Sequence, residues 1–238
     1  MRIDKDLCAN CGVCYYYCPL GAIEQQADGM MINEDECVEC GVCLRRADCP
    51  TGALHEPAET SEWPRVVRKV FSNPSAPHTT GVFGRGTEEV KTNDVTGRVR
   101  RGQVGVSLEI GRPGVGARLS EAEKFTVSLV QAGVKFEPKN PLSQIMDATT
   151  GKIREDLLGE KVLSAIIEFA VSEAEFPKIF ESVVEAARHV GTAFSWGAIT
   201  RVDEKCAAPV LDYLKKRGVA VRPCAKINLG MGKPIAEE

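Results

Sequence analysis

Cysteine placement constrains this chain more than any other feature. Eight of its ten cysteines lie between Cys8 and Cys49, in two sets of nearly equal spacing. No apolar export segment precedes Cys8, and a disulfide framework would spread its cysteines along the whole chain. Ligation of a metal or a cluster is therefore the better interpretation. The two sets are Cys8-x2-Cys11-x2-Cys14-x3-Cys18-Pro19 and Cys37-x2-Cys40-x2-Cys43-x5-Cys49-Pro50.

The two sets belong to a longer internal repeat, because residues 3–23 align with residues 32–54. Gly12 and Gly41 occupy the same place in each copy and let the backbone come close to a cofactor. Three thiolates separated by two residues each can wrap a short turn around one iron–sulfur cube. Zinc is the alternative, but a zinc ribbon needs only four ligands in two pairs. We also predict a hairpin with strands at Ala22–Gln25 and Met30–Asn33.

This block, over about residues 2–55, closely resembles the bacterial two-cluster ferredoxins. The resemblance implies two [4Fe-4S] clusters, each taking three ligands from one motif and the fourth from the other. The second motif departs from the usual spacing, because residues 44–48 add two positions before Cys49. On the family pattern, cluster one takes Cys8, Cys11, Cys14 and Cys49, and cluster two takes Cys37, Cys40, Cys43 and Cys18.

The rest of the chain predicts a second region with its own core. We divide the protein into an N-terminal module at residues 1–56, a polar linker at 57–64 and an α+β region at 65–238. The last of these contains two possible halves, 65–150 and 160–230, which leaves open a tandem of ferredoxin-like or ACT-like βαβ units. In the first half the pattern predicts a strand at Gln103–Ile110, a helix at Ser120–Ala132 with a Ser120–Glu123 capping box, and a strand at Val134–Phe136.

The second half alternates strands and helices more clearly. Apolar residues from Phe176 to Val190 recur at helical spacing, with Pro177 near the start and Gly191 just past the end. Such alternation suits an open sheet with helices on one face. The predicted elements are strands at Val162–Val171, Thr192–Thr200 and Val219–Ile227, and helices at Phe176–Val190 and Asp203–Arg217.

A glycine- and arginine-rich stretch at residues 81–118 is the candidate small-molecule site. Glycines let backbone N–H groups converge on an anion, and arginines bind carboxylate or phosphate in bidentate fashion. A basic docking face for a redox partner and a plain solvated loop remain alternatives. The candidate anion-binding residues are Arg85, Lys91, Arg98 and Arg112. His78 is a weaker candidate, and Cys206 and Cys224 are expected to be buried thiols rather than a third redox device.

A second resemblance concerns Val70-Phe71-Ser72-Asn73-Pro74 and the stretch from Gly84-Arg85-Gly86-Thr87 to Asn93-Asp94. These segments are similar to long ferredoxin-like proteins grouped with 6-hydroxynicotinate reductase. That similarity implies reduction of a small carboxylate-bearing or aromatic substrate. The chain has no flavin or dinucleotide motif, so any flavin is expected on a partner.

The charge and hydropathy of the chain limit its partners. A net charge of −3 argues against nucleic acid or a membrane surface, and no apolar run is long enough to span a membrane. We therefore expect a cytoplasmic protein that passes low-potential electrons to a partner reductase or flavoprotein. The alternatives are a reductase with its own small acidic substrate, and a redox or ligand sensor. The sequence leaves homo-oligomerisation open.

Overall fold

The N-terminal module is built from two short pairs of strands. The computed structural model describes residues 1–76, 85–86, 97–202, 205 and 207–221. β1 (Arg2–Ile3) pairs with β4 (Leu54–His55), which brings the two ends of the module together. The predicted hairpin is present as β2 (Ile23–Gln26) and β3 (Gly29–Ile32), an antiparallel pair.

The internal repeat places one short helix in each copy of the unit. The first copy has a 3-10 helix at Val13–Tyr17, and the second has α1 at Val42–Arg46. Each begins just after a glycine with positive φ, +73° at Gly12 and +67° at Gly41, a conformation that other residues rarely adopt. The apolar core of this module is small and consists, beside cysteines, of Met1, Ile23, Met30, Ile32, Ala47 and Leu54.

The predicted linker is in contact with the C-terminal region. It contains a 3-10 helix at Ala58–Ser61 and leads into α2 (Val66–Ser72). Trp63 Nε1 donates to Asp156 Oδ2 at 2.6 Å, and the Arg154 guanidinium lies 4.5 Å from the centroid of the Trp63 ring. The linker is therefore packed against the C-terminal region, residues 65–238.

A three-stranded antiparallel sheet organises the C-terminal region. Its strand order is β8 (Ala165–Ser172), β5 (Gln103–Ile110) and β9 (Phe194–Thr200). β8 and β9 run parallel on either side of β5 and are joined by α4 (Phe176–Ala187), so they form a split βαβ unit. The pairing of α3 (Leu119–Gln131) with α4 on one face buries Val104, Val106, Leu108 and Ile110 of the central strand. The shorter elements are β6 (Ala117–Arg118), β7 (Lys161–Val162), α5 (Pro209–Lys216) and 3-10 helices at Pro141–Gln144 and Glu155–Leu157.

The fold is α+β, but the two possible halves do not form separate sheets among the described residues. β5 comes from the first half and lies between β8 and β9 of the second. The reason is that β5 is apolar and buried along its length, which suits a strand paired on both edges.

Several local predictions need correction. α3 begins after Arg118 without a side-chain cap, so Ser120 and Glu123 do not form a capping box. Glu123 Oε2 instead accepts a hydrogen bond from Ile153 N at 2.8 Å. The strand expected at Val134–Phe136 is reduced to a single bridge between Phe136 and Phe169. α5 is shorter than predicted, and residues 222–227 of the last predicted strand lie outside the described residues.

Candidate metal centres

The structure brings the eight cysteines together as two groups. Cys8, Cys11, Cys14 and Cys49 line the first cavity, which contains about 320 Å³ of empty space counting the part open to solvent. Cys18, Cys37, Cys40 and Cys43 line the second cavity, of about 340 Å³ on the same measure. Each cavity therefore combines three cysteines of one motif with the last cysteine of the other.

Backbone and side-chain donors lie beside several of the sulfur atoms. Met30 N is 3.4 Å from Cys8 Sγ, Ala22 N is 3.1 Å from Cys18 Sγ, and Thr51 Oγ1 is 3.7 Å from Cys49 Sγ. Such donors stabilise thiolates and the sulfur atoms of a bound cluster. Four thiolates with N–H groups around them fit a [4Fe-4S] cluster. No three His, Cys, Asp or Glu side chains in the described ranges are placed to hold a single metal ion.

The electrostatic surroundings of the two cavities differ. Burial raises the pKa of Cys43 to about 12, helped by the neighbouring Cys37 and Cys40. Burial also acts on Cys49, but hydrogen bonds from the backbone and side chain of Thr51 outweigh it and lower that pKa to about 7. Burial likewise raises the pKa of Cys37 and Cys40 in the second cavity, and that of Cys14 in the first.

The second cavity is flanked by the C-terminal region. Arg68 is 5% exposed, and its Nη1 donates to the backbone oxygens of Glu34, Asp35 and Cys37 at 2.9, 3.0 and 2.9 Å. The same guanidinium is ion-paired with Glu160. Arg68 therefore fixes the chain that leads into the second cysteine motif.

Two further contacts cover the same side. Lys161 and Arg118, on β7 and β6, both pair with Glu36, and the hydrogen bond from Lys161 lowers the pKa of that carboxyl. In addition, Gly114 N donates to Pro19 O at 2.6 Å, directly after Cys18. Glu36 and Pro19, which line the second cavity, are therefore in contact with β6, β7 and the loop at residues 111–116.

The first cavity faces away from these contacts. Cys11 is exposed, and Tyr16 in the adjoining 3-10 helix is 83% exposed. Other large apolar side chains exposed in the same module are Leu7, Val13, Tyr15, Tyr17 and Leu44. Of these, Val13 lines the first cavity together with Cys11.

Sequence reasoning missed a buried carboxylate beside the second motif. Glu39 is 1% exposed, pairs with the N-terminal amine of Met1 and accepts from Arg65 Nε at 2.8 Å. A charged residue between Cys37 and Cys40, where the first motif has Asn10, was the available signal. No such signal marked Arg68, because its acceptors in the module are backbone carbonyls.

The candidate anion-binding residues do not form one site. Arg85 and Arg112 both approach Glu109 Oε2, at 3.3 and 3.1 Å, and they also donate to Ser164 and Ser195 respectively. Arg98 instead pairs with Glu137 at 3.6 Å and borders a separate cavity. Lys91, His78, Cys206 and Cys224 lie outside the described residues.

Comparison with known proteins places the first motif in a family. A family model for the 4Fe-4S binding domain matches residues 1–24, which contain Cys8, Cys11, Cys14 and Cys18. No curated protein and no solved structure matches the chain. These comparisons give no support to the resemblance to 6-hydroxynicotinate reductase. In the described part of the chain, no helix is long and apolar enough to cross a membrane. The N-terminus is therefore a ferredoxin-type 4Fe-4S binding domain, which supports an iron–sulfur electron-transfer role.

Proposed function

We propose that this protein carries two [4Fe-4S] clusters and delivers low-potential electrons to a partner reductase or flavoprotein. The observation that carries the proposal is the pair of four-cysteine cavities, each combining three cysteines of one motif with one of the other. Cluster one is assigned to Cys8, Cys11, Cys14 and Cys49. Cluster two is assigned to Cys37, Cys40, Cys43 and Cys18.

The surroundings of the cavities support different roles for the two clusters. Cys11 and Val13, which line the first cavity, are both exposed to solvent, so cluster one is the one that exchanges electrons with an external protein. Exposed aromatic and aliphatic side chains are typical of the centre of a protein interface. Cluster two lies against the C-terminal region and connects the external partner with it. Any flavin in the reaction belongs to the partner.

A second candidate function is a reductase with its own small acidic substrate. Among the described residues, Arg85 and Arg112 both form ion pairs with Glu109. Arg112 begins the loop whose Gly114 contacts Pro19, next to the cluster-two ligand Cys18. An acidic acceptor bound by these arginines would therefore lie on the cluster-two side of the molecule.

Iron content and turnover test these functions directly. After anaerobic reconstitution we expect about eight irons per chain, and reduction by one electron per cluster in an EPR titration. About four irons would contradict the two-cluster proposal. Turnover of an aromatic carboxylate with reduced viologen would favour the reductase, whereas reversible reduction without turnover would favour the carrier.

The assignment of cluster one as the external cluster can be tested without a known partner. A soluble paramagnetic lanthanide chelate shortens the spin relaxation of reduced clusters near the surface. We expect a larger effect on the signal that disappears in the variant Cys11→Ala than on the signal that disappears in Cys40→Ala. Equal effects on the two signals would contradict the different roles.

A further inference from the structure

A third cavity lies in the C-terminal region, away from both cysteine groups. It contains about 640 Å³ of empty space, a figure that includes its open mouth. It is bordered by Gly105 near the start of β5, by Ala170 near the end of β8 and by Ile199 of β9. These residues are register partners and share one face of the sheet.

The position of this cavity separates it from the electron path. The loop that contacts the N-terminal module follows Ile110, at the other end of β5. Gly105 and Ile110 are about 17 Å apart, at roughly 3.4 Å per residue. A molecule bound in the cavity is therefore not in contact with cluster two.

The walls of the cavity combine apolar surface with charges of both signs. Val99, Phe136, Ala170 and Ile199 provide aliphatic and aromatic contacts. Two cations and two carboxylates also border the space. They are Arg98, Lys135, Glu137 and Glu168.

The two carboxylates differ in their surroundings. Glu168 is 3% exposed and accepts a hydrogen bond from Asn140 Nδ2 at 2.6 Å, so its carboxylate is fixed within the protein. Glu137 lies nearer the mouth, where it pairs with Arg98 at 3.6 Å. Lys135 is exposed at the same mouth. The formal charges of the four groups cancel, and the cations lie on the solvent side.

We propose that this cavity binds a small zwitterion, an α-amino acid with an apolar side chain. Arg98 and Lys135 receive its carboxylate at the mouth, because guanidinium and ammonium groups are strong donors to carboxylate. Glu137 and Glu168 accept hydrogen bonds from its ammonium group. The side chain lies on Val99 and Ile199. A purely anionic ligand would add a negative charge beside these two carboxylates.

Titration calorimetry on the cluster-loaded protein tests the ligand class. L-leucine and L-phenylalanine are the probes, and isovalerate and isoamylamine each lack one of the two charges of leucine. We expect saturable binding of at least one amino acid, and at least about tenfold weaker binding of both analogues, since a lost charged contact costs about 1.4 kcal/mol or more. The absence of saturable binding by any of the twenty amino acids would overturn the proposal, as would equal binding of isovalerate.

Variants test whether the amino acid binds in this cavity. Ala170→Trp fills the cavity from a strand position and should abolish binding, and Lys135→Gln should weaken it severalfold. Lys139→Gln, a nearby exposed lysine that does not border the cavity, is the matched control and should leave binding unchanged. Circular dichroism and iron content establish that each variant is folded. Binding that survives Ala170→Trp unchanged would overturn the assignment, independently of the number of clusters.

Discussion

The two cysteine cavities come from copies of one repeated unit, yet they lie in different surroundings. In the first cavity one cysteine, Cys11, is exposed to solvent, and Tyr16 of the same copy is also exposed. In the second cavity none of the four cysteines is exposed. Three residues that line the second cavity are in contact with the C-terminal region through Arg68, Lys161 and Gly114, and they are Cys37, Glu36 and Pro19. One copy of a repeated unit thus contacts the rest of the chain at residues that line its cavity.

Among the variants, Arg68→Ala should have the largest effect on the contact between the second cavity and the C-terminal region. Removal of the guanidinium leaves Glu160 and three backbone carbonyls without their donor in a buried place. We expect a loss of about 3 kcal/mol in stability, the cost of breaking a buried ion pair. The midpoint of thermal unfolding at fixed scan rate measures it.

Arg46→Ala is the matched control, because Arg46 is exposed at the end of α1. It should change the stability by less than about 0.5 kcal/mol. In Arg68→Ala the lanthanide chelate should also act more strongly on cluster two. If neither the spin relaxation of cluster two nor the unfolding midpoint changes, Arg68 does not hold the C-terminal region against the second cavity.

Glu36→Gln should have a smaller effect. Glu36 pairs with both Lys161 and Arg118 but is partly exposed, so a loss of about 0.5–1 kcal/mol is expected at neutral pH. Because the folded-state pKa of Glu36 is lowered, its contribution is present above the ordinary carboxyl pKa and is lost as the pH falls through the folded-state value.

Unfolding midpoints of wild type and Glu36→Gln measure this contribution, and the gap between them should narrow in acid. Glu24→Gln, at an exposed position of β2, serves as the control. If the midpoints of wild type and Glu36→Gln are equal at pH 7, or differ only as much as those of wild type and Glu24→Gln, this contact does not stabilise the protein.

The smallest effect should appear at Tyr16, which is compared with Leu20 of the same module. Tyr16→Ala removes an exposed side chain and should change stability by less than about 0.5 kcal/mol. Leu20 lies against Gly116, where an added Cβ would be 3.1 Å from Leu20 Cδ1, and Leu20→Ala should cost about 1 kcal/mol. Equal midpoints for the two variants would contradict the covered position of Leu20.

The elements that could be predicted from sequence are those with strong local patterns. The strand at Gln103–Ile110 was predicted with its observed bounds, because its residues alternate as in a strand. Alternation predicts one buried face, whereas both faces of this central strand are buried. The helix beginning at Phe176 was also predicted, since its apolar residues recur at helical spacing.

Contacts between distant segments could not be predicted. Nothing in the sequence places Arg68 near Cys37 O, because a backbone acceptor has no residue-specific signature. The capping box at Ser120 failed because Glu123 has a tertiary partner, Ile153 N. The candidate arginines were grouped by proximity in sequence, whereas in the fold Arg85 pairs with Glu109 and Arg98 pairs with Glu137.

The iron content of two double variants tests the central claim, the crossed assignment of ligands, most directly. Cys18→Ala with Cys37→Ala removes two ligands of cluster two and none of cluster one. Cys8→Ala with Cys18→Ala removes one ligand of each. The account predicts about four irons per chain in the first variant and almost none in the second. The reverse result, loss of both clusters in the first variant and retention of one in the second, would show that each motif holds its own cluster.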